Sequence, residues 1–253
     1  VDALQYFSCP VQNFVYADIE GNIAIWHAGN TPKKWDNQGR FVMDGSDPDY
    51  KWNESIPHQE KAHIKNPETG FVSSANQHAT DENYPYYLGP WFVESFRSER
   101  INQNLESLEN ATFDDFKRIQ MDNKNLMAER VLPIFLSTLN DTLLKSNFIL
   151  PIAELIKWDY FFDADDIAPT IYNEWIDQFE NLIWQDNLGK SYDEILWPDY
   201  SRLEQLITKE QNSKWIDDIR TNKLESFSEL VYVSFENTIQ NLYKELGELS
   251  DSW

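Results

Sequence analysis

The hydrophobic pattern of this chain changes near residue 90, and this change limits the possible folds more than any other feature. In the first part, short apolar alternations are separated by turn residues, and five of the eight glycines lie within the first 70 residues. Such a pattern is typical of strands and tight turns. From Trp91 onward, apolar residues recur at helical intervals. We therefore predict an α+β fold, with a β-rich segment over 1–90 and a helical region over 91–253.

A β-hairpin is predicted near the start of the β-rich segment. Two β-rich runs, Phe14–Asp18 and Ile23–His27, flank a short turn in which Gly21 supplies the positive φ of a tight hairpin. The following polar segment, Asn30–Tyr50, is expected to be a surface excursion. A further short strand is predicted over Phe71–Ala75, directly after a turn rich in Asn, Pro and Gly.

The helical region is predicted from apolar periodicity and from capping residues. Thr112 with Asp115 resembles a capping box, and so does Ser226 with Glu229, while Gly247 is placed to end the last helix. After a first helical stretch around residues 92–105, the predicted helices are Phe113–Asn123, Leu126–Leu144, Ile152–Trp158, Ile167–Leu188, Tyr200–Thr208 and Phe227–Leu246.

Charge and composition exclude several classes of protein. The chain has 21 Lys and Arg residues against 43 Asp and Glu residues, a net charge of −22 and a pI near 4.4. A field of this sign repels polyanions, so we expect neither a nucleic-acid partner nor a membrane partner. Aromatic residues make up 15% of the chain, which is too many for a disordered acidic tail.

General catalytic motifs are absent from the sequence. It contains no nucleophile elbow, no zinc-protease helix motif, no phosphate loop, no paired-cysteine motif and no dinucleotide fingerprint. The four histidines form no helical i, i+3 or i, i+4 pair, so we expect surface or hydrogen-bonded histidines and no metal site built from them. Cys9 is the only cysteine, which excludes an internal disulfide.

The most informative stretch of the sequence runs from Tyr50 to Arg100. Tyr50–Pro57 reads Tyr-Lys-Trp-Asn-Glu-Ser-Ile-Pro, and Asn66–Gln77 reads Asn-Pro-Glu-Thr-Gly-Phe-Val-Ser-Ser-Ala-Asn-Gln. In this order the two segments resemble the penicillin acylase (penicillin amidase) family of N-terminal-nucleophile hydrolases. Further segments similar to landmarks of that family are Gln12–Asp18, Gly21–Ile23, Tyr84–Gly89, Phe96–Ile101, Ile119–Asp122 and Trp158–Asp159.

The resemblance implies a fold and an activity. The β-rich segment would contribute to a four-layer αββα sandwich, and the full-length protein would hydrolyse a linear amide of a small molecule bearing an apolar or aromatic acyl group. In the family, the nucleophile is the amino-terminal Ser of a β-chain released by autocatalytic cleavage, and its own α-amine is the base. The resemblance also implies a periplasmic or secreted protein that requires no cofactor.

This chain begins with Val1, and its Ser8 has no free amine, so the nucleophile role is not assigned here. We therefore expect a fragment from the middle of a β-chain, inactive by itself. Its partners would be the remaining α- and β-chain segments of the same precursor. We also expect the fragment to self-associate, because the missing segments would leave strand edges and apolar surface uncovered.

The resemblance also assigns site residues. Asn76 corresponds to the oxyanion-hole asparagine, although Ala79 stands where the family has Pro, and an Asn that merely ends a strand is the alternative. Arg97 is the supporting arginine, or else a surface residue of a helix. Tyr86 and Tyr87 match residues that line the acyl pocket, with core packing as the alternative. Asp81 lies where some members bind a structural calcium, or else in a solvated turn.

Two other functions stay open on the sequence. The first is a family member that acts on N-acyl homoserine lactones or lipopeptides. The second is an interaction module without catalytic activity.

Overall fold

The structure is a computed structural model that describes residues 2–139, 145–188 and 197–248. The chain divides into two compact units, Val1–Phe116 and Lys117–Trp253. The first unit contains the strands and the first helix, and helices dominate the second, so the fold is α+β as predicted. In the described part of the chain, every helix is too short or too polar to cross a bilayer.

The sheet of the first unit has three antiparallel strands in the order β1-β2-β3: β1 Gln12–Ala17, β2 Ile23–Ala28 and β3 His63–Lys65. The predicted hairpin is confirmed. Gly21 takes the positive φ of 86° expected of it, and the Asp18 side chain closes the turn by accepting hydrogen bonds from the backbone N–H groups of Glu20 and Asn22, both 2.9 Å.

The strand predicted over Phe71–Ala75 is wrong, because the segment before the turn pairs with β2 instead. In the ladder, Ile25 faces Ile64, and the Asn66 side chain secures the end of β3 by accepting a hydrogen bond from the Ile23 N–H (2.9 Å). Residues 71–75 form no ladder in the structure. Both segments contain β-favouring residues, and only the three-dimensional arrangement decides which of them occupies the free edge of β2.

The predicted surface excursion is confirmed in outline. Most of the residues of Asn30–Tyr50 are exposed or half-buried, and its regular structure is limited to isolated bridges at Pro32 and Lys34 and a short 3₁₀ turn at Pro48–Tyr50. The buried exceptions, Thr31 and Gln38, are both polar.

The described helices are α1 Phe96–Glu106, α2 Phe113–Gln120, α3 Leu126–Thr138, α4 Ile149–Lys157, α5 Ala168–Glu180, α6 Asp186–Leu188, α7 Tyr200–Lys209 and α8 Phe227–Leu246. The helix predicted over Ile167–Leu188 is interrupted, because Asn181–Gln185 forms a π-helical turn between α5 and α6. The predicted end of α3 at Leu144 lies outside the described residues. Helix α8 has the predicted bounds.

The core of the second unit is an aromatic cluster between α3, α5 and α8. The Trp175 ring lies 4.9 Å from Phe135 and 4.4 Å from Phe235, and all three side chains are fully buried. The indole N–H of Trp175 donates to the Ser234 hydroxyl (3.0 Å), so this buried polar group has a partner. Close-packed rings of this kind account for the high aromatic content of the chain.

Three of the four histidines meet the expectation of an exposed or hydrogen-bonded side chain. His58 departs from it. Its ring stacks on Trp26 at 5.0 Å, and its two ring nitrogens are buried without a hydrogen-bond partner among the described residues. In the sequence, His58 follows Pro57 at the start of a short turn, and this local pattern did not reveal the packing against Trp26.

Candidate active site

Asn76 lies in an exposed loop of the first unit, directly after the buried Ala75. Its φ of 68° is left-handed, a conformation that Asn adopts more readily than most residues. The Ala75 N–H donates to Gln77 Oε1 (2.7 Å), and the Asn76 carbonyl accepts from the Val93 N–H (3.3 Å). These contacts define a sharp turn from which the Asn76 side chain projects.

Arg97 determines which end of the Asn76 amide faces outward. From the first turn of α1, its Nη2 donates to the Ala75 carbonyl and to Asn76 Oδ1, both at 3.0 Å. A guanidinium can only donate, so the amide oxygen must face Arg97 and the amide nitrogen must face away. No described residue accepts a hydrogen bond from Asn76 Nδ2. The structure therefore brings the predicted donor and its predicted supporting residue together.

Asn76 lines a cleft of about 710 Å³. Half of its lining residues are apolar, and these include Val11, Pro32, Leu88, Trp91, Phe92 and Val93. Volumes of this order are typical of sites for small molecules, in which an apolar lining surrounds a few polar groups. The polar groups here include Asn13, His27 and Gln77.

A second cavity, of about 560 Å³, shares Asn13, His27, Gln77 and Ala79 with the Asn76 cleft. A larger share of its lining residues is polar or charged, and most of them come from the segment around β3 and from the loop on either side of Asn76. Among the lining residues are Glu60, Lys61, His63, Asp81 and Tyr84. The shared residues place the two cavities side by side.

Tyr86 and Tyr87 are half-buried, but neither lines the two cavities. The Tyr86 hydroxyl donates to the Glu60 carboxylate, and this hydrogen bond raises the pKa of Tyr86. Tyr87 forms a β-bridge with Lys34. The tyrosine at a cavity wall is Tyr84, whose hydroxyl donates to the Glu60 carbonyl (2.9 Å). The acyl-pocket role of Tyr86 and Tyr87 stays a prediction, and the same aromatic run contained the signal for Tyr84.

Asp81 lies in an exposed turn at the rim of the 560 Å³ cavity. Its Oδ1 accepts from the Asn83 N–H (2.9 Å), and its carbonyl accepts from the Tyr84 N–H (3.3 Å). Calcium takes six to eight oxygen ligands, and the described residues contain no cluster of three or more Asp, Glu, His or Cys side chains that could hold a metal. A calcium site at Asp81 therefore stays a prediction, and it would need further oxygen ligands besides the Asp81 carboxylate.

Lys61 and His27 are site residues that the sequence did not reveal. Lys61 is only 6% exposed, and its Nζ donates to the Gly29 carbonyl (2.5 Å). Burial lowers the pKa of Lys61, and burial together with the nearby Lys61 charge lowers the pKa of His27. Their separation of 34 residues left no local pattern to detect.

Comparison with known proteins identifies the family to which the chain is similar. The family model for penicillin amidase matches residues 1–253. Among curated proteins, the chain is 26% identical over 180 residues to the penicillin acylase 2 proenzyme of Pseudomonas sp. (strain SE83), an alignment that covers 68% of this chain and 22% of that protein.

Among solved structures, the chain is similar to thermostable penicillin G acylase from Alcaligenes faecalis, with a TM-score of 0.71 and 14% identity, over 100% of this chain and 50% of that one. At this identity the likeness shows a shared fold. The chain thus spans about a fifth of the curated relative and half of the structural one. Because the family model matches its whole length, this chain belongs to the penicillin amidase family.

Proposed function

We propose that this chain is part of an amidohydrolase of the penicillin acylase type, in which Asn76 donates a hydrogen bond to the oxyanion of the tetrahedral intermediate. The observation that supports this role is the Arg97 contact with Asn76 Oδ1 at 3.0 Å, which leaves the Asn76 amide nitrogen facing away from Arg97. An oxyanion hole requires such a donor, oriented before the reaction so that no reorganisation is needed when negative charge develops.

The proposed substrate is a linear amide of a small molecule with an apolar or aromatic acyl group. The apolar walls of the Asn76 cleft support this class, because they would remove an aromatic or aliphatic group from water. Tyr86 and Tyr87 are proposed as further contacts with the acyl group on the strength of the family motif. The same family membership supports a periplasmic or secreted protein.

In the proposed reaction, a Ser hydroxyl supplied by another segment of the precursor attacks the amide carbon, and its α-amine accepts the hydroxyl proton. The carbonyl oxygen gains negative charge, which the Asn76 N–H stabilises, while Arg97 keeps the amide of Asn76 in the donating orientation. The C–N bond then breaks, the amine leaves with the proton, and water hydrolyses the acyl-enzyme. This chain thus contributes transition-state stabilisation and part of the acyl-binding surface.

The test is an assay of the processed full-length enzyme against chromogenic phenylacetyl, aminoacyl and long-chain acyl amides. We expect the phenylacetyl amide to be hydrolysed fastest, with inhibition by a serine-directed reagent, and no turnover by the 253-residue chain alone. A strong preference for the long-chain amide would instead favour a lipid-amide or homoserine-lactone acylase.

In the same enzyme, Asn76→Ala is expected to lower kcat by roughly 10²–10³ and to leave KM nearly unchanged, because the donor acts mainly in the transition state. A folded and processed variant with unchanged kcat would show that Asn76 has no catalytic role.

A further inference from the structure

The loop that carries Asn76 is tied to the sheet by a chain of polar side chains. Ser74, two residues before Asn76, accepts a hydrogen bond from Asn13 Nδ2 on β1 (2.8 Å). Asn13 Oδ1 lies 3.1 Å from His27 Nδ1 on β2, and His27 Nε2 lies 3.2 Å from the Thr31 hydroxyl. A continuous series of hydrogen bonds therefore runs from β2 through β1 to the loop.

The chemistry of these groups gives the series one direction. The amide nitrogen of Asn13 donates to Ser74, so the group of Asn13 that faces His27 is the amide oxygen, which can only accept. His27 Nδ1 must therefore carry the proton. The neutral ring then accepts from the Thr31 hydroxyl through Nε2. The surroundings of His27 favour this neutral ring, because burial, and after it the nearby Lys61 cation, lowers the pKa of His27. The other titratable side chains of the adjoining cavity are Glu60, His63, Asp81 and Tyr84.

The loop needs such contacts because residues 71–75 belong to no strand. On the side of α1 it is held by Arg97 and by the Ser73 hydroxyl, which donates to Asn102 Oδ1 (2.6 Å). On the side of the sheet, the described side-chain contact is that of Asn13 with Ser74. The loop is thus fixed between helix and sheet at two adjacent serines.

We propose that Asn13 and His27 are positioning residues for the oxyanion donor, acting through Ser74. This inference rests on the proposed function of Asn76. Fixing Ser74 sets the path of Ala75 into the left-handed turn at Asn76, and so sets where the amide nitrogen meets the substrate. A displacement of about 1 Å at a reacting group can cost on the order of a hundredfold in rate.

A double-mutant cycle in the processed full-length enzyme tests the proposal. Asn13→Ala and Ser74→Ala are each expected to lower kcat by about tenfold to a hundredfold, with a much smaller change in KM, and the double variant is expected to be no slower than the slower single variant. Asn13 lines both cavities, and if it acted only by touching the substrate, the two effects would multiply.

Two substitutions of His27 distinguish a positioning role from a simple loss of packing. His27→Asn keeps an N–H donor near the place of Nδ1 and is expected to retain most of kcat, whereas His27→Leu is expected to behave like Asn13→Ala. Tyr16→Phe is the matched control, because it removes an exposed hydrogen bond to Asp18 (3.0 Å) from the same strand. The control is expected to leave kcat unchanged.

Hydrogen exchange of backbone amides 73–77 in the same variants gives a readout without substrate. Faster exchange in Asn13→Ala and Ser74→Ala supports the proposal, and unchanged exchange overturns it. Should Asn13→Ala fail to fold, Ser74→Ala and Thr31→Val carry the same test. A wild-type enzyme without amidase turnover would overturn the proposed function, whereas an active wild type with multiplying kcat effects would overturn only the positioning role.

Discussion

At the scale of single residues, the candidate site depends on which polar atom faces which partner. Asn76 can present either an oxygen or a nitrogen to the cleft, and the contact of Arg97 with Oδ1 (3.0 Å) selects the nitrogen. Without this contact, the amide could turn its oxygen toward a developing negative charge.

Arg97→Leu is therefore expected to lower kcat of the full-length enzyme by about tenfold to a hundredfold, because the donor is no longer held in place. Arg97→Lys should lie between wild type and Arg97→Leu, since a lysine donates from a single point and lacks the guanidinium fork. Steady-state kinetics with a phenylacetyl amide give the measurement. Arg40→Leu, at an exposed loop residue, is the control, and equal losses in Arg40 and Arg97 variants would contradict the prediction.

Glu180 gives a second residue-scale prediction, in the second unit. It is only 7% exposed, and burial together with the neighbouring Asp177 carboxylate raises its pKa to about 7 from the ordinary 4.5. Between these values the folded state holds a proton that the unfolded state has lost, so stability falls as pH rises toward 7. Glu180→Gln removes the titrating group and with it this pH-dependent loss of stability.

The free energy of unfolding of Glu180→Gln, measured by urea denaturation, should exceed that of wild type by up to about 3 kcal/mol above pH 7, since one pKa unit is worth about 1.4 kcal/mol. The difference should shrink as pH falls toward 5. The exposed Glu245→Gln on α8 is the control. A difference that does not change with pH would mean that the Glu180 carboxyl titrates as an ordinary surface group.

At the scale of elements, helix ends are determined by local side-chain chemistry. Ser226 accepts from the Glu229 N–H, and the Glu229 carboxylate accepts from the Ser226 N–H (2.9 Å), which forms the capping box at the start of α8. Gly247, with φ 88°, ends the same helix. Lys223 is the first of the neighbours that lower the pKa of Glu229, to about 2, so the carboxylate stays ionised and able to accept.

Ser226→Ala is expected to lower the free energy of unfolding by about 1 kcal/mol, which is typical for loss of an N-cap. Ser226→Thr keeps a hydroxyl at the cap and should restore most of that stability. Chemical denaturation followed by circular dichroism measures both variants. Equal stability of the Ala variant and wild type would show that α8 is held by its packing alone.

At the scale of the whole molecule, the sheet surface and the net charge have opposing effects on the self-association of the chain. Val15, Ile25 and Ile64 are in register across the three strands, and the outer two are 64% and 46% exposed. In the described part of the chain, the outer edge of β1 has no strand partner. Edges and apolar stripes of this kind favour association, whereas a net charge of −22 opposes it.

We expect the 253-residue chain to associate increasingly as salt is raised or as pH approaches 4.4, because both changes weaken the repulsion between chains. Analytical ultracentrifugation over a range of salt concentrations gives the measurement. Val15→Glu should reduce the association, and Leu224→Glu, at an exposed residue of the second unit, should not. A monomer at every concentration in high salt, with no binding of an apolar dye, would show that the sheet is already covered.

The sequence by itself determined the features that depend on neighbouring residues. The hairpin around Gly21 and both ends of α8 agree with the local prediction, because turn and cap chemistry act within a few residues. The order of motifs also led to the family, and it paired Arg97 with Asn76. The π-helical turn at Asn181–Gln185 was not predicted, since apolar periodicity does not distinguish it from a continuous helix.

The tertiary structure decided the features that depend on residues far apart in the chain. It placed His63–Lys65, and not Phe71–Ala75, beside β2, although both segments could form a strand. It also brought Asn13 to Ser74 across 61 residues and oriented the Asn76 amide through Arg97. The physical reason is that strand edges and polar atoms find their partners only when the chain closes in three dimensions, and no local pattern specifies which distant group arrives.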